Sequence, residues 1–150
     1  MALLLLLLIP AAPVAALGLL GYGLGTLGHR AWHRNVAALL GAVAAGFYTW
    51  GLLHLAGAVV EAEDGGASSS PLLPCRTLAQ EERAARVVDY SVDYVPLRFV
   101  CETTGGGSYP AESVPGYVNP AVAGLALAAG VCAVVPALVS GRRAAKSRAA

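Results

Sequence analysis

Charged side chains are scarce in this chain. Lysine, arginine, aspartate and glutamate make up 13% of its 150 residues, whereas hydrophobic residues make up 57%. A soluble globular domain carries about 25% charged residues. The composition therefore argues against an ordinary soluble domain and indicates a protein that has lipid as its solvent.

Acidic side chains are missing from both ends of the chain, because all nine lie between Glu61 and Glu112. Three apolar segments flank or precede this region, and each contains at most one charged or histidine side chain: residues 1–28, 36–60 and 119–141. A helix needs about 20 apolar residues to cross a bilayer, and it satisfies its own backbone hydrogen bonds there. The sequence therefore predicts a membrane α-helical protein with three transmembrane helices.

Basic side chains are absent from the predicted spans and follow their ends. Arg30 and Arg34 lie in the short connection 29–35, and four more lie in the tail 142–150. The region between the second and third helices has four arginines against nine acids, a net charge of −5. The positive-inside rule assigns the connection and the tail to the cytoplasm. We therefore expect the N-terminus and residues 61–118 to be extracytoplasmic.

A positively charged start is also absent, since the first basic residue is Arg30. A secretory signal peptide begins with such a region, and cleavage after Ala16 would leave residues 17–28, which are too few to span. We expect the first segment to remain as a helix, with processing as the open alternative. Pro10 and Pro13 predict a bend or the start of the helix proper.

Between the second and third helices the chain becomes polar. Residues 61–71 are acidic and serine-rich and predict a flexible linker, and residues 72–118 predict a small α+β domain. Thr77 and Gln80 form a capping-box pattern that begins a short helix. Alternating residues predict two strands, each with one apolar face: Val88, Tyr90, Val92 and Tyr94, then Leu97, Phe99 and Cys101.

After these strands, three glycines at 105–107 predict a turn, and residues 108–114 predict a third strand. Asn119 followed by Pro120 predicts the start of the third transmembrane helix, with Asn119 as its N-cap.

Cysteine is sparse, with three residues in the chain. Cys75 precedes the predicted helix cap and Cys101 lies on the apolar face of a strand. Disulfides persist outside the cytoplasm, and a domain this small needs a covalent link. We predict a structural disulfide between Cys75 and Cys101, with free thiols, metal ligands or a redox pair as alternatives. Cys132 is predicted to be a small core residue of the third helix.

His54 is the only histidine or charged residue inside a predicted span. Such residues are candidates for function. It lies about 9 Å from the outer end of its helix, at 1.5 Å per residue. We favour a neutral interfacial histidine and keep a cofactor-binding or proton-relay role as the alternative. His29 and His33, at the opposite membrane face, are expected to contact lipid headgroups or solvent rather than a metal.

Small residues recur at four-residue spacing along the predicted helices. They allow helices to pack closely, either within this chain or against a partner. The residues concerned are Gly21, Gly25, Ala42, Gly46, Gly124 and Ala128. Residues 23–28 also match the GxGxxG pattern, but a dinucleotide site must follow a strand and open a helix, so we reject that interpretation.

Catalytic groupings are absent from the sequence. Asp89 and Asp93 would lie on one strand face about 13 Å apart, too far for a shared acid–base pair. Glu61, Glu63 and Asp64 predict an exposed linker rather than a calcium site. There is no nucleophile–base pair, phosphate loop or basic patch for nucleic acid. We therefore expect no catalytic residue, metal, cofactor or nucleic-acid partner.

The runs Val95–Cys101 and Val114–Pro120, with the glycine-rich turn between them, resemble small uncharacterised membrane proteins of actinobacteria. The resemblance covers residues 75–122. It implies a membrane protein with an external cysteine-bearing domain, and it brings no activity with it.

These observations favour a non-catalytic, multi-pass cell-membrane protein in contact with the lipid bilayer. The leading hypothesis is an accessory or interaction subunit of a cell-envelope complex, with a protein partner or self-association in the membrane. One alternative is a small membrane redox or cofactor-binding protein that uses His54. Another is a component of an oligomeric transporter.

Overall fold

A computed structural model describes residues 2–26, 32–64, 72–76 and 81–148. The helices are α1 (Ala2–Gly25), α2 (Trp32–Asp64), α3 (Glu81–Ala84) and α4 (Val118–Arg148). The strands are β1 (Val87–Tyr94), β2 (Leu97–Thr103) and β3 (Gly107–Pro110), and a 3-10 turn covers Leu73–Cys75. The predicted combination of three long apolar helices with a small α+β region is confirmed.

Helices α1, α2 and α4 are each long and apolar enough to cross a membrane, over Leu3–Gly25, Trp32–Asp64 and Val118–Val135. Within the most apolar 18-residue window of each helix, 0%, 28% and 6% of the residues are buried in the protein. Contiguous apolar surface that the protein itself leaves uncovered needs an apolar solvent or a partner. The helices are therefore consistent with a multi-pass membrane protein.

The long helices extend beyond the predicted spans. Residues 61–64, predicted as linker, form the last turn of α2, and residues 32–35, predicted as connection, form its first. Helix α4 continues past Gly141 to Arg148, through the predicted basic tail. Alanine, glutamate, arginine and lysine are strong helix formers, so a change in polarity does not end a helix. Helix α1 runs through Pro10 and Pro13 without a break.

Backbone contacts divide the chain into two compact units: residues 1–9 with 49–119, and residues 10–48 with 120–150. In the second unit, α1 and α2 form an antiparallel pair. A Cβ atom built on Gly23 would lie 2.9 Å from the side chain of Leu39, and one on Gly41 would lie 3.3 Å from that of Leu19. Both glycines therefore permit close approach of the two helices.

A buried amide joins Thr26, after the last turn of α1, to the first turn of α2. Asn35 is 4% exposed, and its Nδ2 donates to the carbonyl of Thr26 at 2.7 Å. The Thr26 hydroxyl lies 2.7 Å from Asn35 Oδ1. Both polar ends of the buried side chain are thus satisfied, and the end of α1 is tied to the first turn of α2.

In the first unit, the three predicted strands form an antiparallel sheet in the order β1-β2-β3. Val95 and Pro96, joined by a cis peptide bond, connect β1 to β2. Gly105 and Gly106 in the next turn have φ angles of +102° and +80°, a region that side chains disfavour. Strand β3 ends at Pro110 rather than near Val114, because the chain then turns toward α4.

A β-bulge decides which residues of β1 are buried. The pairing with β2 shifts between Val87 and Asp89, so Val88 is an extra residue in the strand. Val87 is 7% exposed, whereas Val88 is 64% exposed. The prediction that Val88 lies on the apolar face is therefore wrong, because a bulge displaces the alternation by one residue.

The core of the first unit joins β2 to the C-terminal half of α2. Leu97, Phe99 and Cys101 have almost no exposed surface, which confirms their predicted common face. Helix α2 contributes side chains that recur on one helical face: Leu52, Leu55, Ala58 and Ala62. Full burial of one large apolar side chain stabilises a fold by about 1.5–3 kcal/mol, so burial of this stripe and of the β2 side chains stabilises the first unit.

Candidate functional site

A disulfide links the sheet to the segment that precedes α3. Cys75 and Cys101 are bonded, with their Cα atoms 6.1 Å apart, which confirms the predicted pair. Tyr109, opposite Cys101 in β3, donates its hydroxyl to the carbonyl of Cys75 at 2.9 Å. Burial raises the pKa of Tyr109, and the positive charge of Arg83 opposes this. The 3-10 turn is thus fixed to the sheet by one covalent bond and one hydrogen bond.

Asn119 attaches the first turn of α4 to the β1–β2 hairpin. The Leu97 N–H donates to Asn119 Oδ1 at 2.9 Å, and Asn119 Nδ2 donates to the Leu97 carbonyl at 3.0 Å. The prediction that Asn119 caps α4 is wrong, because the helix begins at Val118 and the amide is committed to Leu97. The side chain copies the donor–acceptor pattern of a neighbouring strand.

Gly51 lies at a close approach of α2 to the sheet. A Cβ atom built on it would lie 2.5 Å from Leu97 Cδ1 and 2.9 Å from Val118 Cγ1. Leu97 and Val118 are both fully buried. The absence of a side chain at Gly51 therefore lets β2 and the start of α4 pack on α2.

Tyr90 connects β1 to the last turn of α2. Its hydroxyl donates to Glu63 Oε1 at 3.0 Å, and its ring stacks on Phe99 with centroids 4.9 Å apart. Burial raises the pKa of Tyr90, and the hydrogen bond and charge of Glu63 and the charge of Asp89 add to this. The raised pKa favours the neutral phenol. Tyr90 therefore contributes its full stabilisation below the ordinary tyrosine pKa, and this contribution is lost as the pH rises through the raised pKa.

An apolar cleft of about 370 Å³ lies beside this Tyr90–Glu63 pair. We call it the tyrosine cleft. Its walls follow the periods of the elements, with residues three or four apart on the helices and two apart on β1. They are Leu5, Leu6 and Ile9 of α1, Val59 and Glu63 of α2, and Tyr90, Val92 and Tyr94 of β1.

His54 lies in a different cleft, of about 350 Å³, along α2. Its half-buried ring meets Trp50 edge to face, with centroids 4.8 Å apart, and Trp50 Nε1 donates to the hydroxyl of Tyr117 at 3.3 Å. Glu61 also lines this cleft, but it is two helical turns, or about 10 Å, from His54 along the axis. The described residues contain no group of three or more histidine, cysteine or acidic side chains placed to hold a metal ion.

Among the described residues, the small residues at four-residue spacing differ in their surroundings. Ala42 is buried and Ala128 is exposed. In the described part of the chain, a Cβ atom would meet nothing within 4 Å at the glycines of the set, which are Gly21, Gly25, Gly46 and Gly124. Among the residues that the structure describes, close packing falls to Gly23, Gly41 and Gly51, and packing within the chain stays a prediction for the four glycines of the set. Packing against another chain stays a prediction.

The side of the sheet opposite the core is polar and exposed. We call it the outer face and define it by Asp89, Ser91, Asp93, Arg98, Val100 and Glu102. The four charged members are all exposed, and Asp93 is opposite Arg98 in the strand pairing. Asp89 also accepts the N–H of Tyr90 at 2.8 Å. The face therefore presents three carboxylates and one guanidinium on a rigid backbone.

The remaining sequence candidates occupy unremarkable positions. Cys132 is a free, half-buried cysteine in α4, and His33 is half-buried in the first turn of α2. His29, Thr77 and Gln80 lie outside the described residues.

The attachments of the first unit had little signal in the sequence. The sequence around Asn119 and Gly51 gives no sign of their roles, because both roles depend on contact with Leu97, which is distant in the sequence. The sequence predicts that Glu63 lies in a linker, although its spacing of four from Val59 places both residues on one helical face.

Comparison with protein-family models, with curated proteins and with solved structures finds no match to this chain.

Proposed function

We propose that this protein is a non-catalytic, multi-pass membrane protein, an accessory subunit that presents its sheet to a partner outside the cytoplasm. Apolar helices of membrane-spanning length support membrane insertion. The basic residues beside them support a cytoplasmic side for the α1–α2 connection and the end of α4. The Cys75–Cys101 disulfide supports an oxidising compartment for the sheet.

The observation that carries this proposal is the fixed orientation of the sheet. The buried stripe of α2, the Asn119 amide and the Tyr90–Glu63 hydrogen bond hold its core side. The outer face is left exposed on a backbone that cannot reorient freely. A rigid, solvent-exposed face costs little conformational entropy when a partner binds.

The charge of the outer face indicates the chemistry of the partner. Three carboxylates against one arginine give it a negative potential, which complements a basic surface. We therefore expect the partner to bring lysine or arginine side chains to this face. The geometry favours this role over the cofactor role for His54, whose ring is engaged by Trp50.

In-cell photo-crosslinking tests this proposal. A photoreactive amino acid at Ser91 or Glu102 should give a discrete adduct that co-purifies in mild detergent. The matched control is the photoreactive amino acid at Glu112, which is exposed but lies beyond the strands. It should give no adduct. Neutralising the face with Asp89→Asn, Asp93→Asn and Glu102→Gln should lower the yield at Ser91 severalfold. Equal adduct yields from Ser91 and Glu112, or purified protein without a co-purifying partner, contradict the proposal.

A further inference from the structure

The tyrosine cleft has the composition of a small-molecule site. Ligand sites are concave, of about 300–1,000 Å³, mostly apolar, and carry a few convergent polar groups. This cleft has a volume of about 370 Å³. Leucine, isoleucine and valine side chains form most of its wall, and its polar residues are Glu63, Tyr90 and Tyr94.

Glu63 determines the charge that the cleft can accept. Among the described residues that line it, Glu63 is the only one with a full charge at neutral pH. Tyr90 donates one hydrogen bond to Glu63 Oε1. A carboxylate has about four lone-pair sites, so it can accept further donors. A ligand with a positively charged head group would donate further hydrogen bonds to Glu63, whereas an anionic head group would be repelled.

The apolar wall determines the rest of the ligand. Val92 is 5% exposed and forms the inner wall, while Leu6 on α1 is 70% exposed. The cleft therefore has a closed apolar side against β1 and an open side along α1. A short alkyl chain could enter along α1 and cover these side chains while its head stays at Glu63.

We propose that the tyrosine cleft binds a cationic amphiphile, with its alkyl chain against Leu6, Val59 and Val92 and its ammonium group on the Glu63 carboxylate. Charge-assisted hydrogen bonds are about twice as strong as neutral ones, so the ammonium is preferred over a hydroxyl. This site does not depend on the partner or on the sidedness proposed above. Crosslinking at the outer face and ligand binding in the cleft can therefore succeed or fail separately.

Equilibrium dialysis of the full chain in zwitterionic lipid nanodiscs tests the site, with empty nanodiscs as the blank. Radiolabelled octylamine is the probe, and octanol and octanoate are its length-matched comparisons. We expect saturable binding of one octylamine per chain, about fivefold tighter than octanol, because Glu63 is exposed and solvent weakens its ion pair. Octanoate should bind more weakly than both.

Two pairs of variants separate charge from shape. Glu63→Gln keeps an acceptor for Tyr90 and should weaken octylamine binding about fivefold, with octanol binding changed by less than about twofold. Glu61→Gln, which lines the His54 cleft instead, should change neither. Val59→Phe fills the tyrosine cleft and should weaken both probes, whereas Val60→Phe, at the exposed neighbouring residue, should not.

Three results overturn the proposal. Binding no greater than to empty nanodiscs means that bilayer lipid fills the cleft. Equal affinity for octylamine and octanoate means that Glu63 does not select the head. Equal effects of Val59→Phe and Val60→Phe mean that the probe binds elsewhere. An intact disulfide and native helicity in each variant exclude misfolding as the cause.

Discussion

Gly51 is the residue at which one methyl group should cost most. Leu97 and Val118 would need to move to admit a Cβ atom, yet both are fully buried, and Val118 has few rotamers. Overpacking costs about 1–3 kcal/mol, and better helix propensity returns at most about 1 kcal/mol. Gly51→Ala should therefore lower the free energy of unfolding by about 1–2 kcal/mol, measured by thermal unfolding in mild detergent.

Gly57 is the matched control for this substitution. It lies in the same helix, and a Cβ atom there would meet no described atom within 4 Å. Gly57→Ala should leave the unfolding temperature unchanged or raise it. If Gly51→Ala and Gly57→Ala behave alike, the packing at Gly51 is looser than the structure has it.

Residues whose role is local can be predicted from the sequence, and residues whose role depends on a distant partner cannot. Cys75 and Cys101 are an exception, because two cysteines in one small domain have few other uses even at a sequence separation of 26. Asn119 precedes a proline and reads as a helix cap, yet its amide binds Leu97. The carbonyl and N–H of Leu97 need partners, and only the folded chain shows that Asn119 supplies them.

At the scale of elements, patterns predict which structure forms better than where it ends. The alternation of Tyr90, Val92 and Tyr94 predicts β1, because every second side chain enters the core. This alternation does not predict the bulge at Val88, because the bulge depends on the pairing of β1 with β2. The change from apolar to charged residues likewise does not predict the ends of α2, because charged residues change the preferred environment and leave helical hydrogen bonding intact.

The disulfide should provide much of the stability of the sheet. It closes a loop with a sequence separation of 26, for which the chain-entropy model gives about 3.5 kcal/mol. Cys75→Ala combined with Cys101→Ala should lower the unfolding temperature markedly and remove its sensitivity to reductant. Cys132→Ala, which removes the free cysteine, should do neither.

Alkylation checks the same bond directly. Protein denatured without reductant should take up one equivalent of maleimide, and protein denatured with reductant should take up three. Three equivalents without reductant contradict the bond in the native protein.

For the whole molecule, the distribution of charge has two consequences. The acids between Glu61 and Glu112 all lie in the region that includes the sheet and the last turn of α2. Those with described side chains are exposed, as expected for solvated carboxylates. The long helices carry almost no charge over their apolar windows. Charge therefore separates a part suited to water from parts suited to lipid, and the basic residues predict a direction of insertion into the membrane.

That direction can be measured with single reactive cysteines in a Cys132→Ala background. Val95 is 89% exposed at the β1–β2 turn, so Val95→Cys should react with a membrane-impermeant maleimide on intact cells. Ser147→Cys, among the basic residues near the end of α4, should react only after the membrane is permeabilised, because positive charge is retained in the cytoplasm. The opposite pattern would invert the orientation and place the disulfide in a reducing compartment. Labelling of both sites on intact cells would mean that α4 does not separate them by a membrane.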